Sequence, residues 1–332
     1  MSKMVYVEND SFDPTFNLAL EQYVFDFLPR DYSYFWLWQN DKTIVVGKHQ
    51  NTMEEVNYSY VQSEGIRVVR RLSGGGAVYH DLGNINYTFI TDTGDIERLN
   101  MQAFCQPIVN VLKQIGINAE ISGRNDITIE GKKFSGNSQY IKGHRVMHHG
   151  TLMFDSDLSV VEKALSVSKD KYESKGVKSV RSRVTNIRSH AQNPVSFEEF
   201  KDLLRNHMIK DNEMQSLILA QSDLEQINMI RDSRYSLWDW NYGESPAYNV
   251  NKKRRIEGVG TIELCLNVEN GRIKEFDSFG DYFGDGATRE LKERLNNCPL
   301  REDEIRAQLL NFDIDRCFYN LDVKQFIELL VG

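Results

Sequence analysis

The chain has 332 residues, 40% hydrophobic and 27% charged, with a formal net charge of −8. That length suggests roughly two domains of ~150 residues each, and the acidic balance speaks against charge-driven binding of nucleic acid. No apolar run approaches the ~20 residues that span a bilayer, and four scattered cysteines (Cys105, Cys265, Cys298, Cys317) fit a reducing compartment better than a disulfide framework.

In chain order, the opening MSKMVYVENDSFDP lacks the apolar segment of a signal peptide, so a cytoplasmic location is expected. Asp13-Pro14 reads as an N-cap and first helical position, followed by Phe16, Leu20, Tyr23 and Phe27 at helical spacing. YFWLWQ and TIVVG read as buried strands, residues 51–64 as a helix ending at Gly65, and IRVVRR as a strand. AVYH and INYTFIT are expected as the strands that leave the triple glycine. Met101, Phe104, Cys105, Ile108, Leu112 and Ile115 form a helical stripe closed by Gly116. Pro107 inside that stripe predicts a kink or a later start. Strands are expected at 119–122, 126–129 and 145–154, and helices near 161 and over 196–208. WDWNYGESPAY, residues 238–248, is aromatic and broken by Gly and Pro. Beyond it, Ile262, Leu264, Leu266 and Val268 alternate toward an Asn270-Gly271 hairpin turn. The expected division is a catalytic domain over 1–245 and a small α/β domain over 246–332.

Two segments concentrate the chemistry. RRLSGGGAVYHDLGN (70–84) and GRNDITIEGKKFSGNSQ (123–139) each join a glycine-rich bend to cationic side chains in an acidic chain. Bare backbone admits close approach of a ligand, and its N–H groups can face an anion. A neighbouring Arg or Lys supplies full charge for phosphate or carboxylate. Adjacent residues on a strand project to opposite faces, so one of Arg70 and Arg71, and one of Lys132 and Lys133, is expected to reach the site. Neither GxxxxGK[ST] nor GxGxxG is present. The same alternation argues against His148 and His149 as a joint metal site, since no Cys or Glu stands at ligand spacing. Cys105 reads as buried packing. Residues 169–186, KDKYESKGVKSVRSRVTN, form a local basic cluster with the look of a lid over phosphates, while the Lys-Arg run at 252–255 reads as a solvated strand end.

Taken in order and at their spacing, RRLSGGGAVYHDLGN, GRND, KKFSGNSQ, HHGTLMFDSDL and SKGVKSVRSRVTN resemble the lipoate–protein ligase family across nearly the whole chain. The resemblance implies an α+β fold: a mixed, largely antiparallel sheet flanked by helices, like that of biotin–protein ligases and class II synthetase catalytic domains, with a small C-terminal domain that moves. It implies an enzyme that makes an acyl-AMP from lipoate (or octanoate) and MgATP and passes the acyl group to a specific lysine of a carrier domain. The carriers implied are the lipoyl domains of 2-oxoacid dehydrogenase acyltransferase subunits and the glycine-cleavage carrier protein. The enzyme is expected to act as a monomer.

By the same resemblance, Lys133 is the catalytic lysine. Arg71, Gly76, Ala77, Val78, Tyr79, Asn125, Asp126, Arg181 and Arg183 are nucleotide or phosphate contacts. Leu72, Ser73, Gly74, Gly75, Lys133 and His149 face lipoate, and Asp126 is also the candidate Mg²⁺ ligand. The base for the attacking lysine stays open among Asp126, His149 and the adenylate phosphate. Three rivals are weighed. An ATP-independent octanoyl or lipoyl transferase would need a catalytic cysteine. A biotin ligase would need a GRGRRG-like loop, where GGGAVYHD stands here. The third is a catalytically inactive lipoate-binding module.

Overall fold

The computed structural model describes residues 3–50, 52–93, 101–123, 125–165, 183–210, 215–242, 250–269 and 271–331. The strands are β1 (Lys3–Val7), β2 (Tyr32–Trp38), β3 (Thr43–Val46), β4 (Arg67–Arg70), β5 (Val78–His80), β6 (Asn84–Asp92), β7 (Ala119–Ser122), β8 (Asp126–Ile129), β9 (Lys132–Lys142), β10 (Arg145–Met153), β11 (Gln215–Leu217), β12 (Val250–Ile256), β13 (Gly260–Glu269) and β14 (Arg272–Gly280). The early helices are α1 (Pro14–Phe27), α2 (Thr52–Glu55), α3 (Tyr58–Ser63), α4 (Met101–Gln114) and α5 (Leu158–Ala164).

An eight-stranded sheet in the order β11-β1-β2-β6-β10-β9-β8-β7 forms the centre. Only the β1 pairings with β11 and β2 are parallel within it. A second sheet, β4-β3-β5, carries the entry to and exit from the triple glycine. The α+β class, with a mixed and largely antiparallel sheet flanked by helices, is therefore as the resemblance implied.

Cross-strand register sorts the faces of the large sheet. Trp36, Thr88, His149 and Ser138 stand in one row, and Trp38, Asn86 and Thr151 in the next, two residues along. A two-residue period keeps both rows on one face. His148 points to the other face, where its ring stacks on Phe104 of α4 at 4.8 Å. The neighbouring histidines thus serve different layers, as strand alternation requires.

α1 begins as its sequence dictates. Asp13 Oδ1 accepts from Thr15 N at 2.9 Å, and Pro14 takes the first helical position, where a missing N–H costs nothing. The helix expected over 51–64 is two short ones. Val56 forms an isolated bridge to Leu165, and the Asn57 side chain caps α3. A residue recruited by a distant strand cannot keep helical hydrogen bonding, hence the break. α4 starts at Met101 and keeps Pro107 inside it.

The C-terminal part has its own apolar core, in which Leu264 and Leu266 of β13 meet Phe276, Leu291, Phe318 and Phe326. The antiparallel meander β12-β13-β14 is backed by helices over Thr288–Leu295, Glu302–Gln308 and Val323–Val331. The expected boundary near 245 lies outside the described residues. The end of β14 and the segment after it rest on the glycine loop and on His49: Gly75 N donates to Tyr282 O at 3.3 Å, Gly280 N donates to His49 O at 2.7 Å, and the His49 and Tyr282 rings stack.

Candidate active site

A cleft with about 560 Å³ of empty space opens between the large sheet, α1 and the β3–β5 sheet. Its wall grades from wet to dry. Lys133 and Asn125 are only partly buried, whereas Leu18, Trp38, Val45, His80 and Asn86 are buried. A charged mouth and an apolar interior suit a molecule with a reactive polar head and a hydrocarbon tail.

Lys133 stands at the mouth. Its Nζ lies 2.7 Å from Asp126 Oδ1 and directly over Gly136, where an added Cβ would come within 2.9 Å of it. Asn125 is held beside them by an amide-to-backbone bond from its Nδ2 to Asn137 O, at 2.8 Å. The chain at 184–185 crosses next to Lys133: Val184 bridges to it and Thr185 N donates to Lys133 O at 2.9 Å. Arg183 is described and exposed just before that crossing. Arg181 and residues 166–182, which hold most of the expected basic lid, lie outside the described residues.

The two arginines of the loop divide their work as alternation predicts. Arg70 turns away from the cleft and donates to the carbonyls of Gly47, Lys48, Gln50 and Trp240 and to Thr52 Oγ1. Arg71 turns toward the cleft and shapes the loop itself. It donates to Ser73 Oγ, Val45 O, Gly74 O and Gly76 O, the last two through Nη2 at 2.6 and 2.9 Å. Burial pulls both guanidinium groups down to about 10, which leaves them cationic at neutral pH. Arg71 therefore brings positive charge to the cleft wall while most of its donors hold the loop.

Behind the loop runs a buried chain of polar contacts. Trp38 Nε1 donates to Thr88 Oγ1, and Thr88 Oγ1 donates to Glu21 Oε1. Glu21 lies 2.9 Å from His149 Nδ1, and His149 Nε2 lies 2.6 Å from Ser73 Oγ. With a carboxylate at Nδ1, that nitrogen carries the proton, and Nε2 accepts from the Ser73 hydroxyl. Both histidine nitrogens are thus engaged.

Of the residues singled out in the sequence, Arg71, Gly76, Ala77, Val78, Asn125, Lys133 and His149 line this one cleft. Asp126 joins them through Lys133. Others stand elsewhere. Tyr79 follows Val78 on β5, so alternation turns its ring into a separate core with Ile44 and Val46. Leu72 packs into the main core. Ser73 reaches the cleft wall through His149 and Arg71, while Gly74 and Gly75 are covered by Tyr282 and Phe283. Sequence reasoning missed Leu18, Trp38, Val45 and His80, and Glu21 behind them. Register from His149 or Thr151 across β6 to Trp38 would have found some of these.

Among the described residues no group of three or more His, Cys, Asp and Glu side chains gathers as a metal cage. A single carboxylate such as Asp126 still suits Mg²⁺, which is bound through one or two carboxylates together with substrate phosphates. Cys105 is buried against the far face of the sheet, and burial pushes its thiol up to about 11.

Comparison with known proteins follows this geometry. The family described as lipoyl protein ligase A/B catalytic domain matches residues 13–209, and bacterial lipoate protein ligase C-terminus matches 245–330. Lipoate-protein ligase LplJ of Bacillus subtilis is 43% identical over 98% of this chain and 100% of its own length. The crystal structure of P. falciparum LipL1 in complex with lipoate superposes with a TM-score of 0.78 at 25% identity, covering 99% of this chain and 98% of that one. A lipoate-protein ligase A bound with ATP gives 0.64 at 22% identity over 73% and 99%, a likeness of fold. The chain belongs to the lipoate–protein ligase family.

Proposed function

We propose that the cleft joins lipoate to ATP, forming lipoyl-AMP and pyrophosphate, and then presents the adenylate to the ε-amine of a lysine on a carrier domain. In the first step a lipoate carboxylate oxygen bonds to the α-phosphorus and pyrophosphate leaves. In the second the amine attacks the acyl carbon, AMP leaves with the electrons of the broken anhydride bond, and an amide remains. The observation that carries this reading is the Lys133 ammonium at the boundary between the charged mouth and the dry interior. A tail placed in the interior brings an acyl–phosphoryl junction to that nitrogen. Negative charge grows on both oxygens of the junction, and one preorganised donor there contributes ~3 kcal/mol, a factor of ~10² to 10³ in rate.

The related structures named above hold lipoate in one case and ATP in the other, which supports both as substrates here. Mg²⁺, when bound, would rest on Asp126 and the substrate phosphates and offset the charge of the departing pyrophosphate. His149 is a poor candidate for the base, because Glu21 and Ser73 occupy both its nitrogens. Asp126 and the adenylate phosphate remain. Arg181 and Arg183, at the end of the basic segment, complete the proposed nucleotide contacts. An acyl-adenylate hydrolyses unless water is excluded, which gives that segment a purpose.

Lipoyl domains of 2-oxoacid dehydrogenase acyltransferase subunits and the glycine-cleavage carrier protein are the proposed acceptors. We take the chain as a cytoplasmic monomer with a catalytic domain over 1–245 and an accessory domain over 246–332. Among the described residues, no helix is long and apolar enough to cross a membrane. The test is incubation with MgATP, lipoate and apo-carriers, followed by intact mass. One lipoyl group should appear on the carrier only when ATP is present. Acyl transfer from an octanoyl-carrier without ATP would instead establish the transferase reading.

A further inference from the structure

At the dry end of the cleft stands a buried donor that the protein itself does not satisfy. His80 is 3% exposed and lines the cleft. Its tautomer follows from a chain of amides. Asn17 Nδ2 faces two backbone carbonyls, Ser11 O at 3.0 Å and Gln39 O at 2.8 Å, which sets the orientation of that amide. Its two hydrogens are shared with a third acceptor, Asn40 Oδ1 at 2.9 Å, because Asn40 Nδ2 there would set donor against donor. The other arm of Asn40, its Nδ2, then lies 3.1 Å from His80 Nδ1. Asn86 Nδ2 approaches the same nitrogen at 3.4 Å. Nδ1 is thus the acceptor, and the neutral ring carries its proton on Nε2. Burial, with the nearby Arg71 cation, pushes this ring down to about 3, so it is neutral at physiological pH. Nε2–H finds no acceptor among the described residues.

The position of this donor says what it can meet. Its ring stands edge-on to Trp38, 6.1 Å between centroids, among the driest residues of the cleft. Lys133, by contrast, keeps 35% of its side chain exposed. A tail whose carboxyl is held at Lys133 would enter the buried part of the cleft, which Leu18, Trp38 and His80 line. The only acceptor atoms on a lipoyl tail are the two dithiolane sulfurs, and sulfur is a weak acceptor. We propose that His80 is a specificity-determining residue whose Nε2–H donates to a dithiolane sulfur, so that the cleft favours a lipoyl over a straight alkyl tail. This inference rests on the ligase reading of the same cleft. An alkyl tail leaves a buried donor unpaired, and sites built around a donor reject ligands that lack the acceptor.

The experiment compares lipoate with 5-cyclopentylpentanoate, in which methylenes replace both sulfurs, and with octanoate. Binding is read by calorimetry and activation by ATP-dependent pyrophosphate release, in the wild-type protein and in His80→Phe. The wild type should prefer lipoate to its carbocyclic counterpart by about ten-fold, and His80→Phe should bring that ratio toward one. Equal affinity of the wild type for the two acids overturns the proposal without recourse to any variant. So does a uniform loss in His80→Phe with the ratio intact, which marks a structural role. Retention of the binding preference without pyrophosphate release would count against the ligase reading while supporting the His80 contact.

Discussion

Lys133 and Asp126 form their 2.7 Å ion pair diagonally across the β8–β9 ladder, not between directly opposed residues. In the β8–β9 ladder Asp126 is opposite Gly136 and Lys133 is opposite Thr128, with the register shifting between Ile127 and Thr128. The two side chains meet over the bare backbone of Gly136. Such a partly exposed pair contributes little to stability, at most about 1 kcal/mol. Its worth lies in aiming the ammonium. Lys133→Ala should therefore melt close to the wild type yet lose ~10² to 10³ in the rate of pyrophosphate release. Normal turnover by that variant would remove the lysine from the mechanism.

Arg70 and Arg71 are adjacent but should fail in different ways. Arg70 ties β4 to residues 47–52 through buried bonds and to Trp240 through a partly buried one. Arg70→Ala strands several carbonyls, each costing about 1–3 kcal/mol, so a large loss of thermal stability is expected. Arg71→Lys keeps the charge, but its single nitrogen cannot also hold Ser73 Oγ and Val45 O, which the guanidinium reaches through Nε and Nη1. Its fall in kcat/KM for ATP-dependent activation should exceed its loss of stability. Parallel melting curves and initial rates for the two variants separate these outcomes.

What the sequence disclosed follows the range of each interaction. Asp13-Pro14 predicts its helix start because the cap lies within two residues. That only one of Arg70 and Arg71 faces the cleft and that His148 and His149 aim oppositely came from strand alternation, which is also local; that the one is Arg71 came from the family resemblance. Alternation applied to β5 would have sent Tyr79 away from the cleft with equal force, once Val78 was given to it. Glu21 was out of reach for another reason. It meets His149 across 128 residues of chain, because α1 packs on the sheet face that bears that histidine. His80 was hidden likewise: its unsatisfied nitrogen becomes visible only when Asn17, Asn40 and Asn86 are seen around the other one.

The three loop glycines are not equivalent. A Cβ on Gly74 would stand 2.4 Å from Tyr282 O, and Gly75 has φ +90 with Phe283 2.9 Å from its added Cβ. Nothing lies within 4 Å of a Cβ on Gly76. Gly74→Ala should push residues 282–283 off the loop and increase the radius of gyration in solution scattering. Gly76→Ala should leave both that radius and the stability, within ~0.5 kcal/mol, unchanged. Identical scattering from Gly74→Ala and the wild type would show that the C-terminal part does not depend on this contact.

Acid should weaken the fold before most carboxylates titrate. Burial pushes the His80 and His148 rings down to about 3, against about 6.5 in an unfolded chain. Between these values the unfolded chain binds more protons than the folded one, so stability rises with pH. The contribution is complete above pH ~6.5 and is lost as pH falls toward ~3. Denaturation midpoints at a series of pH values should fall across that window. His148→Phe, which keeps a ring against Phe104, should flatten the slope even if its overall stability drops. An unchanged slope in that variant would mean the ring is not the proton acceptor.

Cys105 provides the sharpest separation from a thioester mechanism. A nucleophilic thiol needs a thiolate near neutral pH and access to the acyl group. This thiol is 1% exposed on α4, is pushed up to about 11 by burial, and lies on the sheet face opposite Lys133's cleft. Cys265, Cys298 and Cys317 are buried as well. Cys105→Ala deletes one small buried group and should cost about 1 kcal/mol of stability. ATP-dependent lipoylation by that variant should stay within a few-fold of the wild type, and alkylating reagents at neutral pH should modify the native protein slowly. Abolition of activity in a folded Cys105→Ala protein would force the acyl group through sulfur and overturn direct transfer from the adenylate.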